Sequence, residues 1–448
     1  MRRIAIASGG VAIAAALVVT DVGTASAAVP ATPAASPARP ATPAKAAKTA
    51  KGAKGKAAKR KKYYVAQGPR FNLPTGNAYQ QGAIDTYVKK LIRHAPAGSE
   101  IDVSLFRLQT DGMARELVRA HKRKAKVRVV IDSDSLKKRG HVYTYLRKNL
   151  GSSTKRRSWI LTCPKGRGCI APHVKGQWSK NHNKFYAFSR TYDSRNVVVQ
   201  TSGNATGGMY NQYNDAYTMV DAKLYTAYRR YFYDLAKRRP NGNYYRTRSS
   251  GMRSVSYFPK ASGDPIVDAL KKVSCKGGTR LRLSSGMFTR TSVSRQLSKL
   301  DDAGCDVKVV SGSLGESAAK ALAKPGPHGG PAVHVFTPKQ AKQAHSKYLL
   351  IDGVYAGHRR KMVMTGSHSY TTAALRLNDE SMLTIPYSGT YGVYLRNFNR
   401  VYAAAYGRLS IAPWNPTKTV PDNAVDPENE PVTTKELNLP ETEAPATP

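Results

Sequence analysis

His345-Ser346-Lys347, then Asp352, then Gly366-Ser367-His368-Ser369, then Glu380 is the stretch from which the fold can be read. Its strength comes from an earlier echo: His182-Asn183-Lys184, then Thr201-Ser202-Gly203-Asn204, then Asp215. Each copy has a His-x-Lys, a downstream Ser-x-(Asn or Ser), and an acid eleven residues past the end of that turn. One such set arises easily by accident. Two in the same order ask for a reaction that uses two histidines and two lysines together.

The repeat extends outward from these motifs. Ile101 to Leu105 alternates as a strand, Met113, Leu117 and Val118 have amphipathic helical spacing, and Lys126 to Val130 reads as a second strand. The same order recurs at Arg280 to Leu283, at Val293, Leu297 and Leu300, and at Asp306 to Val310. Leu117 and Leu297 lie 180 positions apart, as do Val127 and Val307. Strand–helix–strand units build mostly parallel sheets with helices on their faces. The expected fold is therefore α/β. Two similar lobes of mixed, mostly parallel sheets with flanking helices would form a pseudo-two-fold domain with one site at the lobe interface. The expected first lobe spans residues 63–250 and the second 251–412.

The ends of the chain differ from this core. Residues 1–27 read as a cleavable signal peptide, with Arg2-Arg3, an apolar run from Val11 to Thr20 and Ala25-Ser26-Ala27. Residues 28–62 are an Ala/Pro/Lys-rich linker with ten basic residues and no acid, and 413–448 an acidic Pro-rich tail; neither has the apolar content to fold alone. The chain carries +44 overall, and residues 63–412 hold 58 basic residues against 20 acidic ones. The folded part should attract anionic membranes, cell-wall polyanions or nucleic acid. Export fits the four cysteines, expected to pair as Cys163–Cys169 and Cys275–Cys305. Spacings of six and thirty, with no Cys-x-x-Cys, do not suit zinc.

Chemistry narrows the reading. In an extended strand residues i and i+2 face the same way, so each His and Lys project together. Two imidazoles, two ammonium groups and small polar donors, with no Asp-rich metal cage, suit a phosphodiester and call for no cofactor. Lysines can neutralise the non-bridging oxygens while one histidine attacks phosphorus and the other protonates the departing alcohol.

These residues resemble the phospholipase D superfamily, whose signature is His-x-Lys-x4-Asp followed by Gly-Ser-x-Asn, present twice in bilobal members. The resemblance covers both lobes. It implies that His182 is the nucleophile and His345 the general acid and base, with Lys184 and Lys347 beside them. It implies phosphate contacts from Ser202, Asn204, Ser367 and Ser369, and supporting roles for Asp215, Asp352 and Glu380. The sequence departs from the pattern where Ser189 stands for the first motif's Asp and Ser369 for the second motif's Asn. The implied protein is a secreted monomeric phosphodiesterase acting on phospholipid head groups through a phosphohistidine. The alternatives are a metal-independent nuclease and a catalytically weakened anion-binding homologue.

Overall fold

The computed structural model describes residues 61–323, 330–337, 339–409 and 419–420. The expected signal peptide, nearly all of the linker and most of the tail lie outside the described residues. The described residues form one compact unit.

Strands of the first lobe are β1 (Gly68–Phe71), β2 (Glu100–Leu105), β3 (Lys126–Ile131), β4 (Trp159–Thr162), β5 (Lys180–Asn181), β6 (Lys184–Thr191), β7 (Ser194–Thr201), β8 (Gln212–Tyr213) and β9 (Asp215–Val220). Those of the second are β10 (Arg246–Ser250), β11 (Arg253–Phe258), β12 (Val273–Ser274), β13 (Arg280–Phe288), β14 (Asp306–Gly315), β15 (Ala332–Val335), β16 (Gln343–Ala344), β17 (Tyr348–Tyr355), β18 (His358–Gly366), β19 (Asn378–Ile385), β20 (Gly407–Arg408) and β21 (Thr419–Val420). The first sheet runs β1-β9-β7-β6-β2-β3-β4, and the main path of the second runs β10-β11-β19-β18-β17-β13-β14-β15-β20. The matching order β7-β6-β2-β3 and β18-β17-β13-β14 is the internal repeat in three dimensions.

The α/β class and the two-lobed repeat are as the sequence implies, but the sheets are mixed rather than mostly parallel. β2·β3 and β3·β4 are parallel, as are β13·β14 and β14·β15. Each His-x-Lys strand instead folds back as an antiparallel hairpin, β6 with β7 and β17 with β18. Short turns between those strands leave no room for a crossover helix, so only the strand–helix–strand half of each lobe is parallel. A second difference concerns the lobe boundary. β10, counted with the first lobe by sequence, is a hairpin partner of β11 and belongs to the second sheet. Thr419 and Val420, within the acidic tail, pair with Leu314 and Gly315 at the end of β14.

Helices cover both faces of each sheet, so inward and outward strand positions are both buried. Met113, Leu117 and Val118 of the Asp111–Lys122 helix pack on Ile101, Val103 and Val127. Val293, Leu297 and Leu300 of the Thr291–Asp302 helix pack on Leu281, Leu283 and Val307. Each such apolar side chain stabilises the fold by about 1.5–3 kcal/mol. A third core lies between the two sheets. It is filled by Tyr228, Tyr231 and Phe232 of the Ala222–Lys237 helix and Tyr394, Phe398 and Val401 of the Ser388–Ala404 helix. Asp221 starts the first of these helices by accepting from Leu224 N–H, and its other oxygen takes Arg253 of the second lobe at 2.8 Å. One residue thus caps a helix and ties the lobes together.

Candidate active site

Two short parallel pairings stitch the lobes, and each ends at a histidine. β5 runs beside the start of β19, pairing Lys180 with Asn378 and Asn181 with Asp379. β16 runs beside β8, pairing Gln343 with Gln212 and Ala344 with Tyr213. The next residues along are His182 facing Glu380, and His345 facing Asn214. Main-chain bonds repeat the symmetry: His182 N–H donates to Asp379 O at 3.0 Å, and His345 N–H to Tyr213 O at 3.1 Å.

Nδ1 of His182 lies 2.7 Å from Glu380 Oε1, and Nδ1 of His345 lies 2.7 Å from Asn214 Oδ1. Each histidine therefore takes its partner from the opposite lobe. With Nδ1–H donating to these acceptors, Nε2 of each neutral ring carries the lone pair. Ser367 Oγ–H donates to Glu380 Oε2, and Ser202 Oγ–H donates to Asn214 Oδ1 at 3.0 Å. Lys184 Nζ donates to His182 O at 3.1 Å, while Lys347 Nζ sits 3.0 Å from His345 Nε2. All four of these histidines and lysines are buried.

Neither histidine is held by the acid of its own copy: Glu380 faces His182, and Asp215 faces neither ring. Counting eleven residues from each turn matches Asp215 with Glu380, but the residue facing His345 is Asn214. The reason is loop length: Ser202 to Asn214 is one residue shorter than Ser367 to Glu380, and a one-residue shift turns a strand side chain to the other face. Main-chain contacts fix the register, since Ser202 Oγ accepts from Asp215 N–H and Ser367 Oγ accepts from Ser381 N–H. Asp215 points away, with Oδ2 accepting from Thr365 Oγ1 and from Tyr394 OH at 2.9 Å across the lobe interface. Ser381 occupies the mirrored place, donating to Gln200 Oε1 at 2.7 Å, to which Tyr228 OH also donates. Burial pushes the Asp215 carboxyl up despite these bonds.

Other expected site residues separate. The Ser202 and Ser367 hydroxyls are engaged with the histidines' partners rather than lying apart from them. Asn204 Oδ1 accepts from Arg107 N–H at 3.2 Å, and Ser369 is buried in the corresponding turn. Asp352 stands five positions beyond Lys347, roughly 17 Å along the strand. It pairs with Lys361 at 3.6 Å, beside Arg280, Arg359 and Arg360 in a basic cleft of about 450 Å³. In the first lobe Ser189 takes the equivalent position, where its Oγ accepts from Glu100 N–H at 2.8 Å. Both positions brace the far end of a strand.

Sequence reasoning also missed residues that shape the two halves differently. Phe106, just past β2, lies with its ring centroid 5.4 Å from that of His182 and under the Lys184 ammonium. The matching residue past the equivalent point of β13 is Gly286. A Cβ there would come within 3.2 Å of His345 Cα and 3.4 Å of its Cδ2. Asp379, next to Glu380, receives the N–H groups of Cys169, Ile170 and Ala171 at 2.6–3.2 Å. The Cys163–Cys169 loop of the first lobe therefore hangs on a second-lobe carboxylate. Asp132 accepts from Asn181 N–H at 2.7 Å on the other side of His182. Burial pushes both carboxyls up to about 7. No periodicity marks Asp379 or Asp132. The offset of 180 would have flagged the Phe106/Gly286 pair.

Both cysteine pairs are bonded as expected, Cys163–Cys169 and Cys275–Cys305. Among the described residues the only cluster with metal-ligand chemistry is Cys163, Cys169 and Asp379, whose sulfurs are in the disulfide. No helix among the described residues is long and apolar enough to cross a membrane.

Residues 274–402 match a family model described as cardiolipin synthase, PLD-like domain. Phosphatidylserine synthase from Haemophilus influenzae Rd KW20 superposes with a TM-score of 0.55 and 14% identity, covering 76% of this chain and 87% of that one. Polyphosphate kinase from Porphyromonas gingivalis superposes with a TM-score of 0.52 and 13% identity. That match covers 81% of this chain, which spans only about half of the kinase, 54%. A phospholipase D family member, Nuc from Salmonella typhimurium, matches over 34% of this chain and 95% of its own length, with 21% identity and a TM-score of 0.28. No curated protein matches the chain by sequence.

Proposed function

We propose that this chain, which carries a phospholipase D-like domain on a two-lobed phospholipase D fold, is an exported phosphodiesterase that works through a phosphohistidine. The observation that carries this reading is the pair of buried histidines, each held at Nδ1 by a residue of the opposite lobe. Nε2 of His182 attacks phosphorus, the P–N bond forms, and the bond from phosphorus to the departing alcohol breaks. His345, as an imidazolium, gives its Nε2 proton to that alcohol. Neutral His345 then takes a proton from water as the water oxygen attacks phosphorus and the P–N bond breaks, which restores both residues.

The unequal partners support this division of roles. Attack through Nε2 leaves positive charge on the His182 ring, and the Glu380 carboxylate balances it. Asn214 holds the tautomer of His345 with a neutral amide. A neutral partner stabilises an imidazolium less than a carboxylate does, which suits a group that must release its proton. Lys184, Lys347 and Asn204 are assigned to the non-bridging oxygens of the phosphate. Asp352 has no assigned part in the chemistry, and Asp215 is assigned to the lobe interface.

Phospholipid head groups are the leading substrate class, reached at an anionic surface through the basic charge of residues 63–412. That same charge supports a nuclease as the second reading. Two disulfides fit an oxidising compartment. The test is to incubate the protein in EDTA with choline-headed lipid and, in parallel, with plasmid DNA, with His182→Ala as control. Choline release is expected from the wild type alone. Nicked plasmid without choline release would replace the leading substrate with the second. No product on either would leave an anion binder, and activity lost in EDTA would sink the metal-free mechanism.

A further inference from the structure

Beside the His182–Glu380 pair lies a cluster that the proposed reaction does not use. Arg290 follows the end of β13, and His368 sits inside the Gly366–Ser369 turn. The main chain brings them together: Thr289 and Arg290 N–H both donate to Tyr370 O, at 3.0 and 2.9 Å, and Phe288 bridges Tyr370. The His368 ring rests on Phe258, with centroids 4.3 Å apart, and Phe258 is the register partner of Glu380. Arg290 is 3% exposed and His368 2%. Neither ring nitrogen of His368 has a hydrogen-bond partner, nor has any guanidinium nitrogen of Arg290 or the hydroxyl of Thr289. Asp264 Oδ2 lies 3.3 Å from Arg290 Nε, balancing the charge from one side without a hydrogen bond.

A guanidinium stays charged, and its fork of N–H donors matches a carboxylate or phosphate. Buried polar groups without partners are rare, because the lost water is not replaced. Here two buried nitrogen-rich side chains lie within electrostatic reach of each other, with one carboxylate at the edge and no acceptor for either terminal guanidinium nitrogen. The charges of Arg290 and His182 both act on His368, which places the cluster within electrostatic reach of the nucleophile. The corresponding turn position in the first lobe is Gly203, so the pseudo-two-fold does not repeat the cluster.

We propose that Arg290 and His368 form a second oxyanion subsite beside the reacting phosphate, which takes a carboxylate or phosphate carried by the same substrate. This rests on the proposed reading only for the position of the reacting phosphate, beside His182. The subsite makes the protein favour substrates with a second acidic group, with choline-headed lipids cleaved as slower substrates.

Calorimetric binding to the full chain tests it at fixed ionic strength, with inorganic phosphate, pyrophosphate, phosphoserine and phosphocholine as probes. Pyrophosphate or phosphoserine is expected to bind roughly tenfold or more tightly than phosphate and phosphocholine, the scale of one charge-assisted hydrogen bond. Preference for pyrophosphate alone identifies a second phosphate, and preference for phosphoserine alone a carboxylate. Arg290→Gln and His368→Gly should each erase the preference while leaving phosphate binding within about twofold. If Arg290→Gln does not fold, His368→Gly decides. Equal binding of all four probes by the wild type, or a preference that survives in the variants, overturns the subsite. Binding needs no turnover, so a protein with the preference and no hydrolytic activity would keep the subsite and lose the proposed reaction.

Discussion

Around His182 the partner is a carboxylate, and an aromatic ring closes one side of the imidazole; around His345 the partner is a carboxamide, and a glycine stands where the ring would be. The backbone of the two halves is nevertheless the same, down to the serine that accepts the next strand's N–H and donates to the histidine's partner. A duplicated frame therefore does not imply duplicated chemistry. The frame sets where the two imidazoles sit. The side chains hung on it differ, and in the proposed reaction they decide which ring is stabilised as a cation and which gives up its proton.

The largest effect should come from the histidines themselves. His182→Ala is expected to abolish turnover and the phosphoenzyme, a loss of about 10⁴-fold or more. His345→Ala should lose about 10²–10⁴-fold on an alkyl ester but much less on a nitrophenyl ester, whose leaving group needs no proton. Equal losses for both variants on both substrates, read by steady-state rates and acid-quenched labelling, would remove the division of roles. Next come the partners. Glu380→Gln should lower kcat by about 10²-fold or more, whereas Asn214→Ala should cost roughly tenfold. If Asn214→Asp proves faster than wild type, the argument that a neutral partner favours proton release fails.

The aromatic and glycine positions should act on stability before they act on rate. Phe106→Ala is expected to cost about 3–5 kcal/mol by emptying its buried place. Gly286→Ala should cost about 1–3 kcal/mol, because the new methyl must displace His345 or the Ala344 carbonyl. Denaturant titration measures both, and a neutral Gly286→Ala would show that the glycine is not needed for clearance.

The smallest effect expected is a pH dependence confined to one half. Burial, with the Arg290 charge adding to it, holds the His368 imidazole well below its ordinary value. The unfolded chain takes up a proton there near pH 6.5 while the folded chain does not. Its stabilising contribution is therefore present above about pH 6.5 and is lost, by up to about 1.4 kcal/mol per unit, as the pH falls. Melting curves of the wild type and His368→Gly should converge in their pH slope only above that range. Parallel slopes down to pH 5 would exclude His368 as the source.

Much of this molecule is legible in the chain because the signal is written twice. The 180-residue offset locates the parallel units, and the two His-x-Lys sets locate the histidines and lysines that the fold buries together. The cysteines pair in chain order as expected, a choice among the three connectivities that four cysteines allow. The hairpin half of each lobe is less legible. Apolar runs such as Val197 to Val199 read as strands, but two-sided burial hides whether their neighbours are parallel or antiparallel.

The sequence by itself determined the α/β class, the duplication and the residue types of the candidate site, because periodicity and repeated spacing survive without knowledge of contacts. Only the tertiary structure decided which residue serves which histidine. That choice depends on strand register across the lobe interface, where one residue of loop length turns Asp215 to Tyr394 and brings Asn214 to His345. Register is set by main-chain bonds between segments far apart in the chain, and counting along either copy alone cannot reveal it.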